Sequence, residues 1–268
     1  MNRTRAEELS TELARALPLV TSGFAFAENW PTAVAECREA RRALEQAKAN
    51  PLRDYFDAHQ AGRGIWKWAH YFDIYHRHFS RFRGRSPVVV EIGVFHGGSL
   101  QMWHHYFGPG TRVVGIDIDP RCRKFEDKVT TILIGDQCDR RFLAEVRGIV
   151  PHIDIVIDDG GHTMAQQITT FEELYPHVQP DGVYLCEDIH TSLMPEYGGG
   201  YRREGTFLEY SKALVDRLYG WYSRDLTVLT VDEFTRATYA LHFYDSVLVI
   251  EKRPKDPPQV SMTGTPSF

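Results

Sequence analysis

From residue 87 onward, short apolar runs that stop at a glycine or an acid alternate with polar, helix-compatible stretches. That rhythm belongs to βα units building a parallel sheet. It predicts strands at 88–92, 112–116, 131–134, 153–157, 182–186, about 226–229 and 241–251. No long helix fits between the last two, so they read as an antiparallel pair closing the sheet. The predicted fold class is α/β: a doubly wound, Rossmann-like, seven-stranded and mostly parallel sheet with helices on both faces.

Upstream the texture differs. Residues 4–17 and 32–49 are rich in Ala, Leu, Arg, Glu and Gln, and Asn50-Pro51 ends the second run. Both are predicted as helices outside the main sheet. Within 65–79, the residues Ile65, Trp68, Phe72, Tyr75 and Phe79 recur at three- and four-residue spacing, which gives a helix one aromatic face. Packing on the main domain is the plain reading of that face; substrate lining or a dimer contact is the alternative. After Arg253 the tail PKDPPQVSMTGTPSF is rich in Pro, Ser and Thr and is read as flexible. The chain parses as an N-terminal helical extension (1–80), a main domain (81–253) and a tail (254–268).

Its 268 residues suffice for one large α/β domain with an extension, not for two full domains. The net charge is −5 with dispersed lysines and arginines, so the basic footprint of a nucleic-acid binder is missing. No apolar run approaches the roughly 18 residues of a membrane helix, and the N-terminus lacks a signal-like core, so the expectation is a cytoplasmic protein. Cys37, Cys122, Cys138 and Cys186 are scattered without a CxxC, which fits reduced thiols and does not suggest zinc.

Chemistry gathers at the strand ends. The first strand runs VVVEIGVFHGGS, with Glu91 near its end and Gly93, Gly97 and Gly98 before a helix. The G-x-x-x-G-G spacing disfavours a dinucleotide, which needs G-x-G-x-x-G, and suits a smaller nucleoside ligand. Asp117 in VVGIDIDP stands where a doubly wound sheet places the acid for a ribose diol, and Asp136 in IGDQCD is a polar group further along the same crevice. Each could equally be a turn former. The fourth strand ends IDDGGH and the fifth CEDIH. Strands about 4.8 Å apart would bring Asp158, Asp159, Glu187 and Asp188 to one cation, and an all-oxygen set favours Mg²⁺. The bland alternative is that the acids solvate the sheet edge. His162, three residues past Asp159, titrates near neutrality and could accept a proton, or could serve as a capping histidine.

Taken in order, ExGxxxGG, GIDIDP, GDQ, IDDGGH and YLCEDIHTS resemble the class I S-adenosylmethionine-dependent methyltransferases, and within them the Mg-dependent sugar O-methyltransferases of the mycinamicin/TylF-type group. The general resemblance covers roughly residues 87–253. It implies that Glu91, Gly93 and Gly97 form the methionine-side loop, that Asp117 binds the ribose, and that Asp136 and Gln137 lie by the adenine. It further implies Asp159, Glu187 and Asp188 as metal ligands and His162 as general base, with Asp158 near the cofactor or behind the ligands. S-adenosylmethionine and Mg²⁺ are the implied cofactors, a glycoside or oligosaccharide hydroxyl the acceptor, and a homodimer or higher homo-oligomer the expected assembly. The Gly-rich loop Tyr197-Gly-Gly-Gly-Tyr201 could wall the acceptor site, or be an ordinary surface loop. Two rival readings are a catechol-type O-methyltransferase and a non-haem iron hydroxylase, the latter because His152-Ile153-Asp154 supplies an HxD.

Overall fold

The computed structural model describes residues 49–268 together with positions 34, 35, 37 and 38, which are helical. The helix predicted at 4–17, and the rest of the 32–49 run up to residue 48, lie outside the described residues. The chain divides into two units, Met1–Pro51 and Leu52–Phe268, and the second contains the sheet.

Its elements run α1 (Pro51–Ala58), α2 (Tyr71–Phe79), β1 (Val88–Ile92), α3 (Gly98–Phe107), β2 (Arg112–Asp117), β3 (Thr130–Ile134), α4 (Arg140–Ile149), β4 (Ile153–Asp158), α5 (Met164–Leu174), β5 (Val178–Cys186), α6 (Phe207–Leu218), α7 (Glu233–Ala237), β6 (Thr238–Phe243) and β7 (Leu248–Lys252). The sheet order is β3-β2-β1-β4-β5-β7-β6, with β7 antiparallel to both neighbours and the rest parallel. Alternation along each strand feeds two cores, because successive side chains leave a strand on opposite faces. Val89, Val113, Ile155, Ile157, Val183 and Leu185 pack with α2 and α3. Val90, Val114, Val156, Tyr184 and Ile250 pack with α4, α5 and α6. The strands are apolar on both sides because helices cover both.

Five strands fall where the apolar runs predict them; the sheet closes differently. Residues 226–229 form no strand, and Val228 there is 82% exposed. The hairpin lies instead within the final apolar run, where Asp245 and Ser246 make the turn between β6 and β7 and Ser246 has φ +68°. Polar residues at that point allow the reversal, and the buried run after it pairs with β5. The 65–79 segment is likewise only half helical: α2 begins at Tyr71, and residues 64–68 are irregular chain.

Candidate active site

Strand register assembles the site. Ile92 pairs with Asp158 and Asp158 with Cys186, so β1, β4 and β5 end level and the next residues, Gly93, Asp159 and Glu187, emerge side by side. Backbone bonds carry the alignment past the sheet, from Asp159 N–H to Ile92 C=O (3.0 Å) and from Glu187 N–H to Asp158 C=O (2.9 Å). This is the point where the strand order reverses, the usual ligand crevice of a doubly wound sheet.

A cavity of about 630 Å³ opens there, lined among others by Gly93, Val94, Phe95, Asp117, Asp136, Gln137, Asp159, His162, Glu187 and Asp188. Gly93 has φ +91°, and a Cβ on it would fall 1.9 Å from the Asp159 carbonyl oxygen, so only glycine lets the β1 loop lie against the β4 turn. Asp117 Oδ2 accepts the Val94 and Phe95 N–H groups (2.9 and 3.0 Å), and its Oδ1 accepts Asp119 N–H (2.9 Å). The acid therefore shapes the glycine loop as well as facing the cavity. Asp136 uses Oδ1 on Cys138 N–H (2.8 Å).

Three residues expected at the cofactor are placed behind the cavity wall or in its support. Glu91 is fully buried; its Oε2 accepts the Ser99 hydroxyl at 2.8 Å, and it does not line the cavity. Gly97, at φ +74°, packs on Phe125. Asp158 is buried under the turn, accepting from Gln137 Nε2 (3.0 Å) and the Tyr184 hydroxyl (3.1 Å), and burial pushes its pKa up to about 7. Gln137 ties this network to the turn: its Oε1 accepts Gly161 N–H at 2.8 Å, while Nε2 also donates to Thr170. Asp158 and Gln137 thus hold IDDGGH in shape.

At the turn's end His162 takes φ +57°, and Thr163 immediately caps α5 through a reciprocal capping box with Gln166. The imidazole consequently points back at the acids: Nε2 lies 3.5 Å from Asp188 Oδ2 and 3.9 Å from Asp159 Oδ1. Asp159, His162 and Asp188 can each offer one ligand atom with all three inside 4.8 Å. Asp188 also adopts a left-handed backbone, φ +53°, which turns its carboxylate inward.

Residues the motifs did not single out complete the cluster. The Lys67 side chain, 3% exposed, donates to Asp159 Oδ2 (2.5 Å) and Glu187 Oε1 (2.9 Å), with Glu91 Oε1 at 3.8 Å. Burial alone would drive its proton off, but the charges of Asp159, Glu187 and Glu91 outweigh that and hold Lys67 above the ordinary lysine value. Tyr75 donates to Glu187 Oε1 (2.6 Å) and Tyr71 to Asp188 Oδ1 (2.6 Å). Burial, reinforced by the neighbouring Asp159 charge, pushes Glu187 well above the carboxylate range. The available signal was a lysine inside the otherwise apolar IWKW, four residues before Tyr71 and eight before Tyr75.

The three clustered carboxylates Asp159, Glu187 and Asp188 offer the oxygen donors that a hard divalent cation takes. The open crevice at the glycine loop fits a nucleoside. At the cavity mouth stand the exposed rings of Trp66, Trp68 and Phe95, and Tyr197, His190 and Thr191 also line the cavity. Trp66 is 82% exposed, and Tyr201 of the Gly-rich loop is exposed without lining the cavity. The HxD of the hydroxylase reading lies at the opposite edge: Asp154 binds His152 Nε2 (2.9 Å) and caps Val88 N–H (2.8 Å) where β4 and β1 begin. Among the described residues no helix is long and apolar enough to cross a membrane.

Residues 90–189 match a family described as a methyltransferase domain. The chain is 36% identical over 200 residues to the 8-demethyl-8-alpha-L-rhamnosyl tetracenomycin-C 2'-O-methyltransferase of Streptomyces olivaceus, covering 72% of this chain and 52% of that protein. It is 35% identical to the mycinamicin VI 2''-O-methyltransferase of Micromonospora griseorubida, covering 68% and 48%. The chain thus spans about half the length of the curated relatives it matches. Among solved structures, the MycE methyltransferase of the mycinamycin biosynthetic pathway, in complex with Mg and SAH, superposes with a TM-score of 0.68 at 32% identity, over 77% of this chain and 55% of that one.

Proposed function

We propose, from the methyltransferase domain matched at residues 90–189, that the chain uses S-adenosylmethionine to methylate a sugar hydroxyl on a small-molecule glycoside or oligosaccharide in a Mg²⁺-dependent reaction. The observation that carries this reading is the convergence of Asp159, His162, Glu187 and Asp188 on the cavity that also holds the glycine loop. The relatives named above act on a rhamnosyl tetracenomycin C and on mycinamicin VI, and MycE was also solved with mycinamycin VI bound. Asp159, Glu187 and Asp188 would hold the metal, and Gly93 and Asp117, with Asp136 and Gln137 further along, would line the nucleoside site.

When bound, S-adenosylmethionine supplies a methyl activated by its positive sulfur, and Mg²⁺ polarises neighbouring hydroxyls and makes one more acidic. The protein's own tasks are then orientation and proton removal. His162, aimed across Asp159 and Asp188, takes the hydroxyl proton on Nε2. The adjacent carboxylates stabilise the imidazolium that forms. Trp66, Trp68 and Phe95 at the mouth offer flat apolar faces for a sugar ring and the hydrophobic body attached to it.

The test is incubation with methyl-labelled S-adenosylmethionine and a panel of glycosides, with Mg²⁺ and with EDTA. Label should move to a glycoside only with the metal. Transfer undiminished by chelator would end the metal reading, and transfer to catechols in preference to every glycoside would replace the acceptor class.

A further inference from the structure

We infer that Lys67, Tyr71 and Tyr75 form a ridge of positioning residues that fixes one oxygen of each metal-binding carboxylate and turns the other toward the cation. The inference rests on the metal reading above and concerns residues outside the motif acids. Its basis is the division of oxygens. Asp159 gives Oδ2 to Lys67, Glu187 gives Oε1 to Lys67 and Tyr75, and Asp188 gives Oδ1 to Tyr71. The remaining oxygens of the two aspartates, Asp159 Oδ1 and Asp188 Oδ2, are those nearest His162 Nε2, at 3.9 and 3.5 Å. The two aspartates are therefore gripped from one side and presented on the other, and Glu187 is gripped through Oε1.

The donors suit the task. An ammonium carries three N–H groups, and Lys67 spends two on Asp159 and Glu187 with Glu91 within 3.8 Å of the same nitrogen. Without it, Asp159 and Glu187 would repel each other and swing apart. Tyr71 and Tyr75 occupy one face of α2, four residues apart, and both rings are buried in the core. Their phenols are thus held by packing before any ligand arrives. Outer groups of this kind tune the affinity of the ligands they hold. Lys67 is also flanked by Trp66 and Trp68, so the same short segment grips the acids with one side chain and lines the acceptor mouth with its two neighbours.

Calorimetric titration of the full chain with MgCl₂ tests the assignment, with S-adenosylhomocysteine affinity and thermal unfolding measured alongside. Tyr71→Phe and Tyr75→Phe keep the rings and remove only the donors. Lys67→Met keeps the length of the buried stem. Each is expected to weaken Mg²⁺ binding about 10- to 100-fold while S-adenosylhomocysteine binding is retained. Tighter Mg²⁺ binding by Lys67→Met would overturn the inference, making the lysine a competitor for the cation position. Mg²⁺ affinity unchanged in the tyrosine variants would overturn it as well, leaving a packing role only; these two variants decide the matter where Lys67→Met does not fold. No uptake by the unaltered chain would overturn the metal reading and this inference with it, whereas uptake indifferent to all three substitutions overturns the inference alone.

Discussion

Replacing Gly93 by alanine should damage both halves of the site at once. Gly93 sits at φ +91° with its α-carbon against the β4 turn, and an added Cβ would lie 1.9 Å from the Asp159 carbonyl oxygen and 2.7 Å from its carbon. Both are backbone atoms, so no side chain can rotate away. An L-residue in left-handed backbone costs about 1–2 kcal/mol, and inserting a methyl into close-packed surroundings costs a further 1–3 kcal/mol or so. Together these give about 2–5 kcal/mol, which for a unit of this size lowers Tm by about 10 °C. The strain is relieved only by moving the glycine loop or Asp159, so affinity for S-adenosylhomocysteine and for Mg²⁺ should both fall. Gly84→Ala is the control: Gly84 has φ +72° but nothing within 4 Å of its notional Cβ, so it carries the backbone cost alone. Thermal unfolding and calorimetry of the two variants provide the comparison. If Gly93→Ala melts with Gly84→Ala and binds both ligands normally, the close approach of the two loops is wrong.

Three further outcomes follow from the geometry. His162→Asn should lower kcat about 10²- to 10⁴-fold with S-adenosylhomocysteine affinity retained, because asparagine tolerates the φ of +57° while removing the imidazole proposed as base; near-normal turnover would exclude His162 from proton transfer. Trp66→Ala should raise KM for the glycoside several-fold and leave Tm unchanged, since the ring is 82% exposed at the mouth; an unaltered KM would remove Trp66 from the acceptor site. Stability should fall on acidification through a pair remote from the motif acids. Burial holds His78 below the usual histidine value; burial pushes Glu251 up, but the hydrogen bond and charge of His78, with the charge of Arg81, outweigh it and hold Glu251 below its ordinary value. Both native pKa values are depressed, so the unfolded chain binds protons first. The contribution is complete above about pH 6.5 and is lost as pH drops through the folded values. Urea unfolding at pH 7.5 and pH 5 should show the loss in the unaltered chain and a smaller one in His78→Gln; equal pH slopes would show that His78 does not carry it.

The positions of β1 to β5 were legible because β1, β2, β4 and the second half of β5 are buried on both faces and the edge strand β3 on one, and burial writes an apolar run with an acid or glycine at its end. Asp158-Asp159 and Glu187-Asp188 were legible for the same reason: a strand end is a sequence feature, and parallel neighbours end together. The closing hairpin was not, because 226–229 and 241–251 have the same apolar texture, and only competition for the β5 edge decides which of them enters the sheet. Residues 65–79 show the same limit from another side. Their spacing is helical throughout, yet the structure begins α2 only at Tyr71, and Lys67 upstream is drawn into a buried cluster of carboxylates more than 90 residues away in sequence.

By itself the sequence determined the fold class, the glycine loop, the acid doublets and the histidine, all of them local patterns that hydrophobic burial and turn chemistry impose on contiguous residues. Tertiary structure alone decided what those residues do to one another. It set Asp158 and Gln137 beneath the turn, aimed His162 at Asp159 and Asp188, and placed Lys67, Tyr71 and Tyr75 against the acids. Electrostatic and hydrogen-bond partners are chosen by distance in space, and a chain records distance only along itself.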